Sequence, residues 1–429
     1  MAIPTNPDVL VCGAGCAGLG AALASARHGA KTLLIERAPF AGGIITTVGL
    51  PFFDGIARKK DGVIVTHGIP VELLTRMGVC GPFDHAIHPH NPVIHSTERF
   101  KIVVDRMLQA EPNLHFLFHT FAADVVRNGD SIAEVIVANK GGLQRIRPKT
   151  VIDATGDGDI AARAEVPLDD TGKYMPLSLH FRIGNVVNHP DLRKNCRTAL
   201  MTAYQAGKLK NYYGPGIMFM FAPDEIYIHA TRVNAKAADP EELTRAEIEG
   251  REEAWNMFEI WKKQVPGFEN AYYVASGPYI GIRESRRIVG QYVLNEHDIK
   301  EEKQFPDAIA TGCWYLDLHP SYPTSGTANA PAGTLAGLDG FQPNHYDIPY
   351  RSLLPQKAAN LLVAGRCHSA TRLAASSTRV TATAMAMGQA AGVAAALATE
   401  LHTSVQELDG RKVREVLDRQ HMGPYSGPA

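Results

Sequence analysis

Asp317 and His319 stand two apart in "WYLDLHP", and Arg283 and Arg286 stand three apart in "IGIRESRR". A histidine titrates near neutral pH, so His319 is the first candidate for moving a proton. Asp317 can orient its ring if the segment is extended, because side chains two apart then share a face. A guanidinium fork suits two-point contact with a carboxylate or another electron-rich oxygen, which makes Arg283 and Arg286 candidates for holding a substrate. The competing reading of either arginine is an internal ion pair with Glu284 or another acid.

Two further clusters invite a metal and do not carry one on spacing. His85, His88, His90 and His95 crowd "DHAIHPHNPVIH". Imidazoles suit zinc or iron, yet no cysteine or carboxylate spacing accompanies them, so a loop lining a substrate cleft is expected. Asp153, Asp157 and Asp159 in "VIDATGDGDIAARAEV" miss the alternating oxygen ligands and distant glutamate of a calcium loop. "VIDA" reads instead as a buried strand, and Gly156 as a turn made against a cofactor. Asp157 is placed to hydrogen-bond that turn or the ligand, and "DIAARAEV" opens a helix with an acid at its positive end.

These side chains need a scaffold, and the N-terminus supplies its first unit. "DVLVC" is a short apolar run typical of a buried parallel strand, "AGLGAALASARHGA" has helical spacing, and "KTLLIER" is the next strand. Gly13, Gly15 and Gly18 form G-x-G-x-x-G at the strand-to-helix turn. The first permits the turn, the second a close backbone approach to a pyrophosphate, and the third tight packing of helix on strand. Free N–H groups at the helix start favour phosphate. Glu36, with Arg37 beside it, ends the next strand eighteen residues beyond Gly18, where a carboxylate can accept ribose hydroxyls. Gly42 and Gly43 follow closely, where a diphosphate and a flavin ring need bare backbone. No second G-x-G-x-x-G follows a later strand, and a permanently held dinucleotide needs only one such site, which favours FAD over NAD.

The remainder of the chain reads as one enzyme-sized body. Its 429 residues are 45% hydrophobic and 20% charged, enough to bury a sizeable core. A formal charge of −1 leaves no basic footprint for nucleic acid or an anionic membrane, so a small-molecule substrate is the expected partner. No uninterrupted apolar run reaches membrane-spanning length, and "MAIPTNPDVLVCGAG" enters a strand too early for a secretory signal. The expected location is cytoplasmic. The six cysteines (Cys12, Cys16, Cys80, Cys196, Cys313, Cys367) form no CxxC pair or zinc quartet and read as reduced, buried hydrophobes. "YMPLSLHFRIGNVV" and "GIMFMFAPDEIYIHATRV" read as sheet, and "PEELTRAEIEGREEAWNMFEIWKKQV" as an amphipathic helix capped by "DP". "NLLVAG" and "TRVTATAMAMGQAAGVAAALATEL" then return to a buried strand and a long helix. The expected fold is therefore α/β, with a discontinuous Rossmann-like lobe from residues 1–167 and 341–429 and an inserted α+β substrate lobe over 168–340.

Five ordered segments carry a family resemblance: "VCGAGCAGLGAALASARHGAKTLLIER", "VIDATGDGDIA", "GPYIGIRESRRIVGQYVL", "WYLDLHP" and "IPYRSLLPQKAANLLVAGRCHSA…STRVTATAMAMGQAAGVAAAL". Together they resemble the FAD-dependent oxidoreductases with a glutathione-reductase-like flavin fold, in the group whose substrates are largely unassigned. The resemblance implies that Gly365 and Arg366 lie against the flavin. It also implies that the helix beginning near Ser377, Thr378 and Arg379 points its N-terminus at the pyrimidine edge, stabilising the reduced anion. His368 and Arg372 follow the same strand end, where family members face the flavin, so "HSATRLAASS" is expected to help select the substrate. The "DLHP" motif strengthens His319 as the proton-transfer residue.

The resemblance implies hydride transfer between flavin N5 and an alcohol, amine, hydroxy acid or polarised C=C, with an unknown electron acceptor. A homo-oligomer is compatible with the sequence. The cysteine pair of disulfide reductases is replaced by "GGIITTVGLPFF", and the late "GDAAH" of aromatic hydroxylases by "AGRCHSA". Trp255, Trp261 and Trp314 do not stand in a halogenase-type motif. Two alternatives stay open: a flavin monooxygenase using NAD(P)H and O2, and a non-redox dinucleotide-binding biosynthetic enzyme that would consume Cys313 or Cys367.

Overall fold

A computed structural model of the chain describes residues 3–170, 172, 174–212, 216–319 and 341–427. The end of the expected insertion, residues 320–340, and with it Pro320 of "DLHP", lies outside the described residues.

The four apolar runs read as buried strands assemble, together with Leu114–Leu117, into a five-stranded parallel sheet. Its order is Leu361–Val363, Thr150–Asp153, Val9–Cys12, Thr32–Ile35 and Leu114–Leu117. All residues of the central strand Val9–Cys12 are buried, as a parallel strand covered on both faces requires. Helix Cys16–Arg27 follows the glycine turn and packs on helix Thr381–Glu400 through small side chains. A Cβ on Gly388 would sit 1.8 Å from the main-chain oxygen of Ala17, so the backbones meet with no room for a side chain. Helix Thr381–Glu400 is long and apolar enough to cross a membrane, which the reading of apolar runs had missed, and it forms the core here with 94% of its apolar window buried. A helix that is apolar on all sides belongs in such a position.

The long helix expected from Thr378 starts instead at Thr381, behind a separate short helix. Helix Arg372–Thr378 stops, Arg379 and Val380 break the path, and Thr381–Glu400 starts anew. The reason is the extended backbone of Val380, which caps the second helix at φ −71°, ψ 161°.

A second sheet is antiparallel, in the order Ile217–Ala222, Glu225–His229, Phe181–Gly184 and Tyr272–Ser276. Helices Leu192–Gln205 and Pro240–Gln264 cover it around Phe181, Ile228, Phe258, Trp261 and Phe268. The latter helix begins as its "DP" signal requires, with the Asp239 carboxylate accepting from the N–H groups of Glu241 and Glu242.

We propose residue 168 as the entry to the inserted lobe, just beyond the exit from strand Thr150–Asp153. Leu294, Ile299, Phe305, Ile309 and Leu316 belong to the core around the parallel sheet, so the chain is back on the first lobe well before 340.

Candidate active site

Two adjoining cavities occupy the region where the C-terminal ends of the parallel strands meet the antiparallel sheet. The first, about 180 Å³, is lined by Gly13, Gly15, Glu36, Arg37 and Gly43 from the N-terminal unit. Gly156, Asp157, Gly365, Arg366 and Arg379 close it from the later strands. A smaller recess of about 50 Å³ shares Gly13, Glu36 and Arg37 and reaches Thr120 and Phe121.

Sterics explain the first cavity. Gly13 has φ +100° and a Cβ there would lie 2.5 Å from the Ala154 oxygen, while a Cβ on Gly18 would lie 1.7 Å from the Gly13 oxygen. Gly15, by contrast, has only the Gly43 Cα, at 3.8 Å, near its missing Cβ. Its bareness thus serves the open space beside it, which is where a pyrophosphate would approach helix Cys16–Arg27. Glu36 accepts from the Ala14 N–H at 2.7 Å and the Ala38 N–H at 2.8 Å. Each carboxylate oxygen keeps a second lone pair for a ribose hydroxyl. Arg379 Nε is buried with no hydrogen-bond partner among the described residues. Bare backbone at the helix start, a carboxylate at the second strand and an orphaned donor at the far end fit a flavin dinucleotide.

The polar side chains of this cavity are held by their own network. Asp157 accepts from Ser285 Oγ at 2.7 Å and from Arg366 at 2.9 Å, and Arg366 also donates to the Ile282 oxygen. Gly156, at φ +81°, has no space for a side chain because Arg366 lies 2.6 Å from where its Cβ would be. Arg286 binds the Asp157 oxygen and Asp159, so it serves the turn rather than a substrate. Gly18, Gly42 and Thr378 do not line the cavity. Gly18 is under the turn, Gly42 packs on Thr46, and Thr378 ends helix Arg372–Thr378. The helix start that does reach the cavity contributes Thr381 and Ala384.

The second cavity measures about 290 Å³, at the lower end of small-molecule sites. Asp317 and His319 line it, with His319 Nε2 3.2 Å from Asp317 Oδ1. Burial alone would raise Asp317, but His319 and Arg379 hold its carboxyl well below the usual carboxylate range. Burial pushes His319 down to about 3 against the pull of Asp317, with the Arg283 charge adding to the effect. The ring is therefore neutral, and its Nε2 lies 3.2 Å from Oδ1 of an ionised Asp317. Arg283 is buried in the wall and donates to Ser178 Oγ at 3.0 Å and to His229 Nε2 at 2.6 Å.

His368 and Arg372 require correction. Neither lines either of these two cavities: His368 is fully buried with Nε2 2.7 Å from Thr378 Oγ1, and Arg372 pairs with Glu284 at 2.9 Å. Packing turns both away from the space that the strand end faces, so the fold does not bring them to the candidate site. Burial and nearby Arg287 push His368 down to about 3, so it is a neutral core group. Of the histidine cluster, His90 alone lines the second cavity, with its ring 6.0 Å from that of Trp314, while His85, His88 and His95 are exposed. Among the described residues no group of three or more His, Cys, Asp or Glu is arranged to hold a metal.

Several cavity residues were not singled out from the sequence: Asp54, His180, His229, Arg232, Trp314 and Tyr315. His180 immediately precedes strand Phe181–Gly184 and His229 ends the neighbouring strand, with ring centroids 4.0 Å apart, and burial drives both well below the usual histidine range. Their signal was a histidine inside an otherwise apolar strand run, in "SLHFRIG" and "IYIHATRV". Burial also raises Asp54 to about 7, with the nearby Asp317 charge adding to the effect.

A family model described as FAD dependent oxidoreductase matches residues 8–417. Among solved structures, the chain is similar to a geranylgeranyl bacteriochlorophyll reductase-like protein from Thermoplasma acidophilum at 12% identity, covering 97% of this chain and 84% of that one with a TM-score of 0.47. It is similar to p-nitrophenol 4-monooxygenase from Pseudomonas putida at 11% identity, 98% and 87% coverage and a TM-score of 0.47. A myxobacterial chondrochloren halogenase is similar at 13% identity, 97% and 79% coverage and a TM-score of 0.45. Overlap at this level transfers neither reaction nor substrate.

Proposed function

Because this chain belongs to the FAD dependent oxidoreductase family, we propose that it binds FAD in the glycine-lined cavity and oxidises or reduces a small molecule in the cavity beside it. One observation carries the reading: Ile44, Ile282 and Arg379 line both cavities, so a ring laid in the first is separated from the second by those side chains alone. FAD, when bound, supplies the acceptor or donor of hydride.

The protein supplies the rest. Gly13, Gly15 and the start of helix Cys16–Arg27 hold the diphosphate, and Glu36 holds the ribose. Arg379 positions Asp317, whose carboxylate lies 3.2 Å from His319 Nε2 and favours a proton on that nitrogen. His319 then takes the substrate proton, and the imidazolium that forms is stabilised by Asp317. Arg283 supports the substrate side of the cavity. The scattered, reduced cysteines support a cytoplasmic setting.

The test begins with the absorbance spectrum of purified protein, which should show bound flavin. Anaerobic addition of sugars, hydroxy acids, amines or unsaturated acids should identify a substrate that bleaches it. A colourless protein that cannot be reconstituted with FAD ends this reading, and oxygen insertion coupled to NAD(P)H consumption would replace it with a monooxygenase.

A further inference from the structure

We infer that the substrate is a small carboxylate whose oxygens satisfy two N–H donors of the cavity wall, His229 Nδ1 and Trp314 Nε1. This rests on the redox reading above and adds the chemical class that the second cavity selects.

The argument begins with a forced tautomer. A guanidinium can only donate, and Arg283 lies 2.6 Å from His229 Nε2, so that nitrogen presents its lone pair. His229 is neutral, because burial and the neighbouring His180, Arg232 and Arg283 oppose its protonation. The single proton of a neutral imidazole must then sit on Nδ1. His229 is 7% exposed, and its Nδ1 is buried with no hydrogen-bond partner among the described residues. Trp314, at 8% exposed, has an indole Nε1–H in the same condition, and an indole nitrogen cannot accept. Both side chains line the 290 Å³ cavity. Two buried donors without acceptors are costly unless a ligand brings the acceptors.

Charge selects among acceptors. Arg232, Arg283 and Arg379 line the cavity with Lys59 at its rim, against the carboxyls of Asp54 and Asp317. Asp317 is held through Oδ2 by the Arg379 charge, and Asp54 is pushed up to about 7, which weakens its negative charge at neutral pH. An amine would leave both donors unmet and face three guanidinium groups, whereas a carboxylate answers the donors and the charge together. Arg379 Nε is on the wall shared with the cofactor cavity and is assigned to that side.

Equilibrium dialysis of the FAD-loaded protein against benzoate, benzamide and benzylamine, repeated with butyrate and butyramide, tests the assignment. Each carboxylate should bind at least about tenfold tighter than its amide, with benzylamine weakest. Trp314→Phe keeps the ring and deletes the donor, and should weaken carboxylate binding by about ten- to a hundredfold at unchanged FAD content. His229→Phe should do the same, with thermal melting as the check on folding. Amides binding as well as acids, no binding by either acid, or unchanged benzoate affinity in both variants would overturn the assignment. Dialysis reads binding without redox turnover, so the two failures separate. A yellow protein that prefers amides or amines removes only the carboxylate, while a protein that takes up no FAD and still prefers benzoate removes only the redox reading.

Discussion

Arg379 donates to Asp317 across the partition between the two cavities, with its terminal nitrogen 3.0 Å from the carboxylate Oδ2 and 3.1 Å from the Asp317 main-chain oxygen. Sixty-two residues separate the pair in sequence. The contact gives a side chain that lines both cavities direct hold of the carboxylate beside His319, so in the proposed function cofactor position and proton transfer share one support.

Arg379→Met should therefore slow anaerobic flavin reduction by about 100-fold or more, since it removes a charge from the cofactor wall and leaves Asp317 buried beside His319 alone. Loss of the guanidinium raises the Asp317 carboxyl, so the acid limb of the rate profile should move to higher pH. Arg379→Lys should recover part of the rate. Stopped-flow reduction as a function of pH is the measurement, and an unchanged profile in Arg379→Met would separate this residue from the chemistry.

Buried neutral histidines make stability fall with acid. His319 and His368 are pushed down to about 3, whereas an unfolded histidine titrates near 6.5. Below about pH 6.5 the unfolded chain binds protons that the folded chain refuses, so the stability present above that pH is lost as pH falls toward 3. Each such histidine contributes about 1.4 kcal/mol per pH unit inside this window. Asp54 and Glu253, raised to about 7 and about 8, act in the opposite sense between those values and the ordinary carboxylate range. Comparing His368→Leu with the parent isolates one group. Urea denaturation from pH 7.5 to pH 5 should show a shallower slope in the variant by about that amount, and identical slopes would mean that His368 is charged in the fold.

Asp157 links the nucleotide turn to two distant residues through Ser285 and Arg366. Asp157→Ala strands the Arg366 guanidinium, with an expected loss of about 2 to 4 kcal/mol of stability and weaker FAD retention. Adding Arg366→Met should recover much of the stability and none of the FAD affinity. Denaturation and FAD dialysis on the single and double variants check this, and unchanged FAD affinity in Asp157→Ala would remove its role in shaping the cavity.

The N-terminal unit was legible because its determinants are local. Gly13, Gly15 and Gly18 are placed by the steric needs of one turn, and strand–helix–strand periodicity is written within thirty residues. Glu36 was found at the right strand end, though its hold on the Ala14 and Ala38 N–H groups was not. His319 and Arg283 were legible as chemical types, and the fold does bring them to one cavity. His368 and Arg372 misled because following a strand end says nothing about which way a side chain turns once its neighbours pack.

His180, His229, Arg232 and Trp314 could be joined to His319 only by the tertiary structure. They lie on different strands and loops, and pairing of strand Glu225–His229 with strand Phe181–Gly184 places two histidine rings in contact across 49 positions of sequence. By itself the sequence determined a nucleotide-binding lobe, since a glycine turn and a terminal carboxylate act over a few bonds. Folding alone decided which buried polar residues line a common space, because that depends on the register of strands and the packing between two lobes.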